Sequence, residues 1–241
     1  MEELKGMSAL ITGGSKGIGY GVAEAMVKLG MNVAITSRSK DEVTNAAEAL
    51  SKLGPGRAIG LKCDVRDYSA QRNVIDQAVH EFGKLNAVVA NAGVGHFAPI
   101  DELTLDKWKD TIDINLTGVF YTVKASLDAL KESKGFLVTV ASLAGTNFFA
   151  RGAAYNASKF GLVGFTQAVM MDVRNEGVRV STIMPGSVAS HFNGHTPSES
   201  DGWKIQPEDV GRLVVDLLRM PARTLPSKVE VRPARPNQKS K

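Results

Sequence analysis

The sequence predicts an α/β fold in which helices cover both faces of one doubly wound, parallel β-sheet. Three observations predict it. Short apolar runs alternate with longer amphipathic segments along the whole chain, the pattern of βαβ units and of a sheet buried on both sides. The first apolar run ends in a glycine-rich turn that opens directly into a helix. No Pro/Ser-rich linker or break in composition divides the chain, so one domain is expected over residues 1–232, followed by a basic, disordered tail at 233–241.

Ser8–Thr12 (SALIT) is the first strand and Lys16–Leu29 the first helix, with glycines at 13, 17 and 19 in the string TGGSKGIG. Gly13 permits the tight turn, Gly17 lets backbone approach a pyrophosphate, and Gly19 lets the helix pack on the strand. The helix N-terminus offers free N–H groups and a positive dipole end to phosphates. The plain alternative is a glycine-rich surface turn; a strand before and a helix after favour dinucleotide binding. Asn32–Ser37 (NVAITS) is the next strand. A carboxylate at its end would accept hydrogen bonds from a free ribose 2′-OH. Ser37 stands there instead, Arg38 follows, and Lys16 lies in the glycine loop. A guanidinium suits a 2′-phosphate, so the expected cofactor is NADP.

Asp41–Leu53 reads as a helix, GPGR as a turn, Ala58–Val65 as a strand and Asp67–Phe82 as a helix. Leu85–Ala90 is a strand leading into Asn91-Ala92-Gly93, Leu105–Ser133 one long helix, and Gly135–Ser142 a strand. The helix Ala153–Asp172 carries Tyr155 and Lys159, four residues apart on one face. An ammonium about 4–5 Å from a phenol would favour phenolate and lower its pKa by about 2–3. That brings a tyrosine toward proton transfer at neutral pH. Such pairs are also common on exposed helices. However, Phe160–Met171 (FGLVGFTQAVMM) has no charge, so this helix should be buried nearly all round, one side on the sheet and the other on a second subunit. Gly161, Gly164 and Ala168 would let another backbone come close. Val178–Met184 is a strand closed by Pro185-Gly186; a polar loop, a helix from Pro207 to Met220 and a strand near Lys228–Arg232 complete the chain.

Several functions are disfavoured. The pI is about 9.1, but Arg212–Lys241 holds eight Lys/Arg against two Asp/Glu, leaving the rest of the chain slightly acidic. A basic tail without a nucleic-acid motif does not argue for nucleic acid. No run of 18 apolar residues and no basic-then-apolar leader occurs, so no membrane partner is expected and the location expected is cytoplasmic. The single cysteine, Cys63, fits a reducing compartment and reads as a packed thiol. The four histidines show no metal-ligand spacing, so no metal is expected.

These motifs, in this order, resemble the short-chain dehydrogenase/reductase family, compact type, from about Leu4 to Arg232. The resemblance implies a Rossmann-type sheet and hydride transfer between NADPH and a carbonyl or secondary alcohol, such as a small hydroxy acid or ketone. It implies cofactor contacts at Gly13, Ser15, Lys16, Gly17, Ile18 and Gly19, and at Ser37 and Arg38. Asp64 and Val65 would hold the adenine, and Asn91, Ala92 and Gly93 would stabilise the central sheet beside the cofactor. Tyr155, Lys159, Pro185, Gly186, Val188 and Ser190 would meet its nicotinamide half. Asn115, Ser142, Tyr155 and Lys159 stand where the family's catalytic tetrad stands. Tyr155 is then the general acid or base, Lys159 lowers its pKa and holds the ribose, Ser142 bonds the substrate oxygen, and Asn115 anchors a water. The substrate residues expected are Phe97, Phe148, Phe149 and Arg151, with Phe192 and Trp203 from a short lid at His191–Trp203. A homodimer or homotetramer is also implied. A 3-oxoacyl carrier-protein reductase is the alternative, weakened by the absence of that group's glycine-rich tail. A non-catalytic NADP-binding sensor would have lost Tyr155 or Lys159, and neither is lost.

Overall fold

The computed structural model describes residues 4–235, so residues 236–241 of the expected tail lie outside the described residues. Among the described residues seven strands form one sheet: β1 (Ser8–Thr12), β2 (Asn32–Ser37), β3 (Ala58–Lys62), β4 (Ala87–Ala90), β5 (Phe136–Val140), β6 (Arg179–Pro185) and β7 (Lys228–Val231). Their order is β3-β2-β1-β4-β5-β6-β7 and every pairing is parallel. The crossovers run through α1 (Gly17–Lys28), α2 (Lys40–Leu50), α3 (Tyr68–Phe82), α4 (Leu105–Ile112), α5 (Gly118–Ser133), α6 (Ala153–Val173) and α7 (Pro207–Arg219).

Alternate residues of each strand serve opposite layers. Ile11, Ile35, Val89, Val138 and Ile183 join α1, α2 and α7 in one core. Leu10, Ala34, Val88 and Leu137 join α3, α5 and α6 in the other. A strand flanked this way has no polar face, which is why β1, β4 and β5 are buried at every position. Helix starts follow local capping: Ser39 accepts from the Glu42 amide at 3.3 Å, Asp67 from Ala70 at 3.0 Å, and Pro207 opens α7. The strand order reverses between β1 and β4, and such a switch point leaves a crevice at the strands' carboxyl ends.

One expected element is corrected. The single helix expected over Leu105–Ser133 is two, α4 and α5, joined by a π-helical turn at Asp113–Thr117. The wider turn inserts a residue into the helical register, and Asn115 sits inside it. α6, expected to be buried nearly all round, is covered within the chain on one side only: Leu162 and Thr166 are buried, while Phe160 and Met171 are exposed. A Cβ on Gly164 would meet nothing within 4 Å.

Candidate active site

One cleft of about 920 Å³ lies along the carboxyl ends of the strands, lined from Gly13–Ile18 through Ser37, Arg38, Asp64 and Val65 to Ser142, Tyr155, Lys159 and Ser190. At the β1–α1 turn, Gly13 (φ 65°) and Gly17 (φ 59°) take left-handed backbone that other residues adopt at a cost. A Cβ on Gly19 would stand 2.4 Å from the Gly13 carbonyl oxygen. The loop is pinned from β4: Asn91 Nδ2 donates to the carbonyls of Thr12 (2.9 Å) and Gly13 (3.0 Å), and Thr12 Oγ1 accepts from the amides of Asn91 and Ala92. No side chain caps the start of α1 and its first turn has no acid, so its N–H groups face the cleft free for an anion.

At the far end, Ser37 donates to the Ser39 carbonyl and Arg38 is exposed. Glu42, at the start of α2, also lines this end, a carboxylate that no sequence pattern singles out. Arg66 grips Asp64 through Nε to Oδ1 (3.0 Å) and a second nitrogen to Oδ2 (2.6 Å). Those bonds, helped by the nearby charge of Arg38, hold the Asp64 carboxyl below its ordinary range. Arg66 continues to Asp110 at 3.1 Å, and Asp110 to His96 Nε2 at 3.0 Å, tying the β3 end of the cleft to the loop after β4. Cys63 lines the cleft as well, with burial pushing its thiol up to about 11. A thiol so protonated is a poor nucleophile.

At the other end β5 delivers Ser142 and α6 delivers Tyr155 and Lys159. Ser142 Oγ accepts from the Ala144 amide at 3.1 Å and donates to the Pro185 carbonyl at 3.4 Å. Asn115 is fully buried; Nδ2 donates to the Val94 carbonyl (2.9 Å) and Ser158 Oγ (3.0 Å), and Oδ1 accepts from the Val94 amide (2.8 Å). A Cβ on Gly93 would lie 3.3 Å from Asn115 Oδ1 and 3.7 Å from Lys159 Nζ. Gly93 thus keeps the space between them open. The expected lowering of the Tyr155 pKa is corrected. Lys159 Nζ donates to the Val140 carbonyl at 2.9 Å and lies 5.7 Å from the centroid of the Tyr155 ring. Burial raises the Tyr155 pKa, and a hydrogen bond with Ser142 only partly opposes it. Burial lowers Lys159 to about 8. Removing both groups from water penalises each charged form more than the pair's attraction recovers.

Of the expected substrate residues, three rings converge. Phe97 lies 5.4 Å from Tyr155, 5.8 Å from Phe149 and 6.4 Å from Phe192, between centroids. Phe148 is 88% exposed, Arg151 is exposed at φ 67°, and Trp203 sits under Lys204 on the lid. Ser190, just before the lid, approaches the glycine loop: a Cβ on Gly17 would come within 3.4 Å of the Ser190 Cβ. Gly186 bonds Val231, and Val188 bridges to Ile205. The lid also holds a charged node. Buried Asp201 takes His195 at 2.6 Å, Lys204 at 2.5 Å and the Ser198 amide at 3.1 Å. Lys204, then His195, hold its carboxyl well below the usual range. No spacing rule marks such a triad in the sequence, because its members meet only through the loop's path.

A family model described as short chain dehydrogenase matches residues 7–201. The trans-4-hydroxycyclohexanecarboxylate dehydrogenase of Sinomonas cyclohexanicum is 37% identical over 54% of this chain, which spans about half (51%) of that relative's length. The 3-oxoacyl-[acyl-carrier-protein] reductase of Synechocystis is 31% identical over 92% of this chain and 93% of its own. Among solved structures, an alcohol dehydrogenase from the archaeon Thermococcus sibiricus, complexed with 5-hydroxy-NADP, superposes with a TM-score of 0.89 at 28% identity, covering 96% of this chain and 99% of that one.

Proposed function

The chain belongs to the short-chain dehydrogenase family, an oxidoreductase family, and from that premise we propose that it transfers hydride between NADPH and a ketone or secondary alcohol. The observation that carries the reading is the continuous cleft joining the free N-terminus of α1 to Ser142, Tyr155 and Lys159. The residues fit a dinucleotide: Gly13 and Gly17 take left-handed backbone in the turn, and Gly19 packs too tightly on Gly13 for any side chain, so the loop and the start of α1 present backbone to a pyrophosphate. Arg38 and Lys16 would hold a 2′-phosphate, and they must outweigh Glu42, whose charge opposes a further anion. Asp64 and Val65 would border the adenine, and Pro185–Ser190 the nicotinamide.

A nicotinamide cofactor held in this cleft would supply the hydride for the carbonyl carbon. Tyr155 supplies the proton, from its phenol to the carbonyl oxygen. Its raised pKa keeps that proton in place until the oxygen gains charge. Ser142 turns its hydroxyl from the long bond to Pro185 toward the same oxygen. Lys159 stands behind, close enough to stabilise the phenolate once it forms. Asn115 is a positioning residue: it clamps Val94 to Ser158 across α6 and so sets the depth of Gly93 beneath Lys159. The test is a panel of ketones, hydroxy acids and 3-oxoacyl thioesters assayed with NADPH and with NADH. Turnover of a carbonyl with NADPH favoured sustains the reading; preference for NADH removes the cofactor assignment, and no turnover removes the whole.

A further inference from the structure

Phe192 brings a phenyl ring from the lid onto Tyr155. The two centroids are 5.7 Å apart, and Phe97 completes a triangle at 5.4 Å from Tyr155 and 6.4 Å from Phe192. These are separations and tilts at which aromatic rings attract. The seat exists because a side chain is missing beneath it. A Cβ on Gly95 would stand 2.6 Å from Cζ of Phe192 and 2.9 Å from Cζ of Phe97. A methyl at Gly95 would overlap the outer ends of both rings and force them to shift. The niche is therefore phenyl-sized, flat and apolar, and one of its walls is the residue that carries the proton.

The ring that fills it is loosely tethered. Phe192 belongs to a short turn, not to the sheet, and is followed by two residues in left-handed backbone, Asn193 (φ 55°) and Gly194 (φ 73°). A Cβ on Gly194 would meet nothing within 4 Å, so the turn has open space on that side. Phe192 and Tyr155 both line the cleft, so a substrate group laid on that face of Tyr155 competes with the Phe192 ring. One of the two must go.

We propose that Phe192 stands in for the substrate: the niche of Gly95, Phe97 and Tyr155 receives an apolar ring of the substrate, which displaces Phe192. The substrate class is then a ketone, or its secondary alcohol, bearing a phenyl-sized aromatic or alicyclic ring beside the reacting carbon. This rests on the oxidoreductase reading and names its substrate.

The experiment compares NADPH-dependent reduction of acetophenone and butanone by the native chain, Phe192→Ala and Gly95→Ala, with NADPH affinity followed by fluorescence. Burying a phenyl-sized group favours acetophenone in kcat/KM by about 10–100-fold in the native chain. Phe192→Ala removes the competing ring and should raise that ratio several-fold. Gly95→Ala puts a methyl into the niche and should lower it about 10-fold or more. A native ratio near one, or variants that leave it unchanged, overturns the proposal. If no ketone is reduced, the parent reading has failed. The niche is then judged by binding alone, from saturation-transfer NMR of acetophenone with the NADP-treated chain. A signal at the ring protons that disappears in Gly95→Ala sustains it, and no signal at the ring protons refutes it.

Discussion

Lys159 ends on a backbone carbonyl, that of Val140 at 2.9 Å, in surroundings that lower its pKa to about 8. A base whose pKa falls on folding costs stability while it is charged. The cost is full below about pH 8 and fades as pH rises toward the ordinary lysine value of 10.5. Such a shift is worth on the order of 3 kcal/mol, less about 1 for the bond to Val140. Without cofactor, Lys159→Met should therefore be the more stable chain at pH 7, by roughly 4–8 °C in Tm, and the gap should narrow between pH 7 and 9.5. Thermal unfolding followed by circular dichroism decides this; a gap that widens with pH would contradict it. Tyr155→Phe should lower kcat by about 10²–10⁴-fold while NADPH affinity holds. Near-native turnover in that variant would end the proposed role of the phenol. At the adenosine end, Arg38→Asp should reverse the preference between NADPH and NADH, read from the two dissociation constants.

At the scale of elements, two irregular segments shape the cleft. The π-helical turn between α4 and α5 sets Asn115 where it reaches Val94 and Ser158 together. A continuous helix would turn that carboxamide by about 100° per residue away from one of them. The lid is held by Asp201, whose carboxyl stays ionised far below neutral pH because Lys204 and His195 bond it. A depressed carboxyl contributes its stabilisation above its unfolded pKa and loses it only as pH falls through the folded value. Asp201→Asn should thus speed proteolytic cutting between His191 and Lys204 at pH 8, where the native carboxyl is fully ionised. Cutting at the native rate would show that the node does not order the lid.

At the scale of the molecule, the outer faces of α5 and α6 expose Phe120, Phe160 and Met171 around Gly164. Large apolar side chains left exposed on a pair of helices call for cover. We propose that a second copy supplies it, giving a dimer or tetramer. Gly164→Arg tests this cleanly, since a side chain there meets nothing within the chain. Light scattering should show the native chain as an oligomer and Gly164→Arg as a smaller species of unchanged circular dichroism. A native monomer at micromolar concentration would refute the pairing.

The sequence by itself determined the order and type of most elements, because period and turn chemistry are local: SALIT then TGGSKGIG reads as a strand, a turn and a helix, and these form. It determined the spacing of Tyr155 and Lys159 on one helical face for the same reason. What Lys159 does to Tyr155 was decided by tertiary structure. The sign of a pKa shift depends on how much water is lost, and burial comes from β5 and the loop after β4, far away in sequence. The break in the helix at Asp113–Thr117 was hidden likewise, since an added residue in a helical turn leaves the composition unchanged and is held by bonds to Val94 and Ser158. The Asp201 node and the Gly95 niche were invisible for one further reason. Each is made by space and charge shared between loops, and only the folded chain brings those loops together.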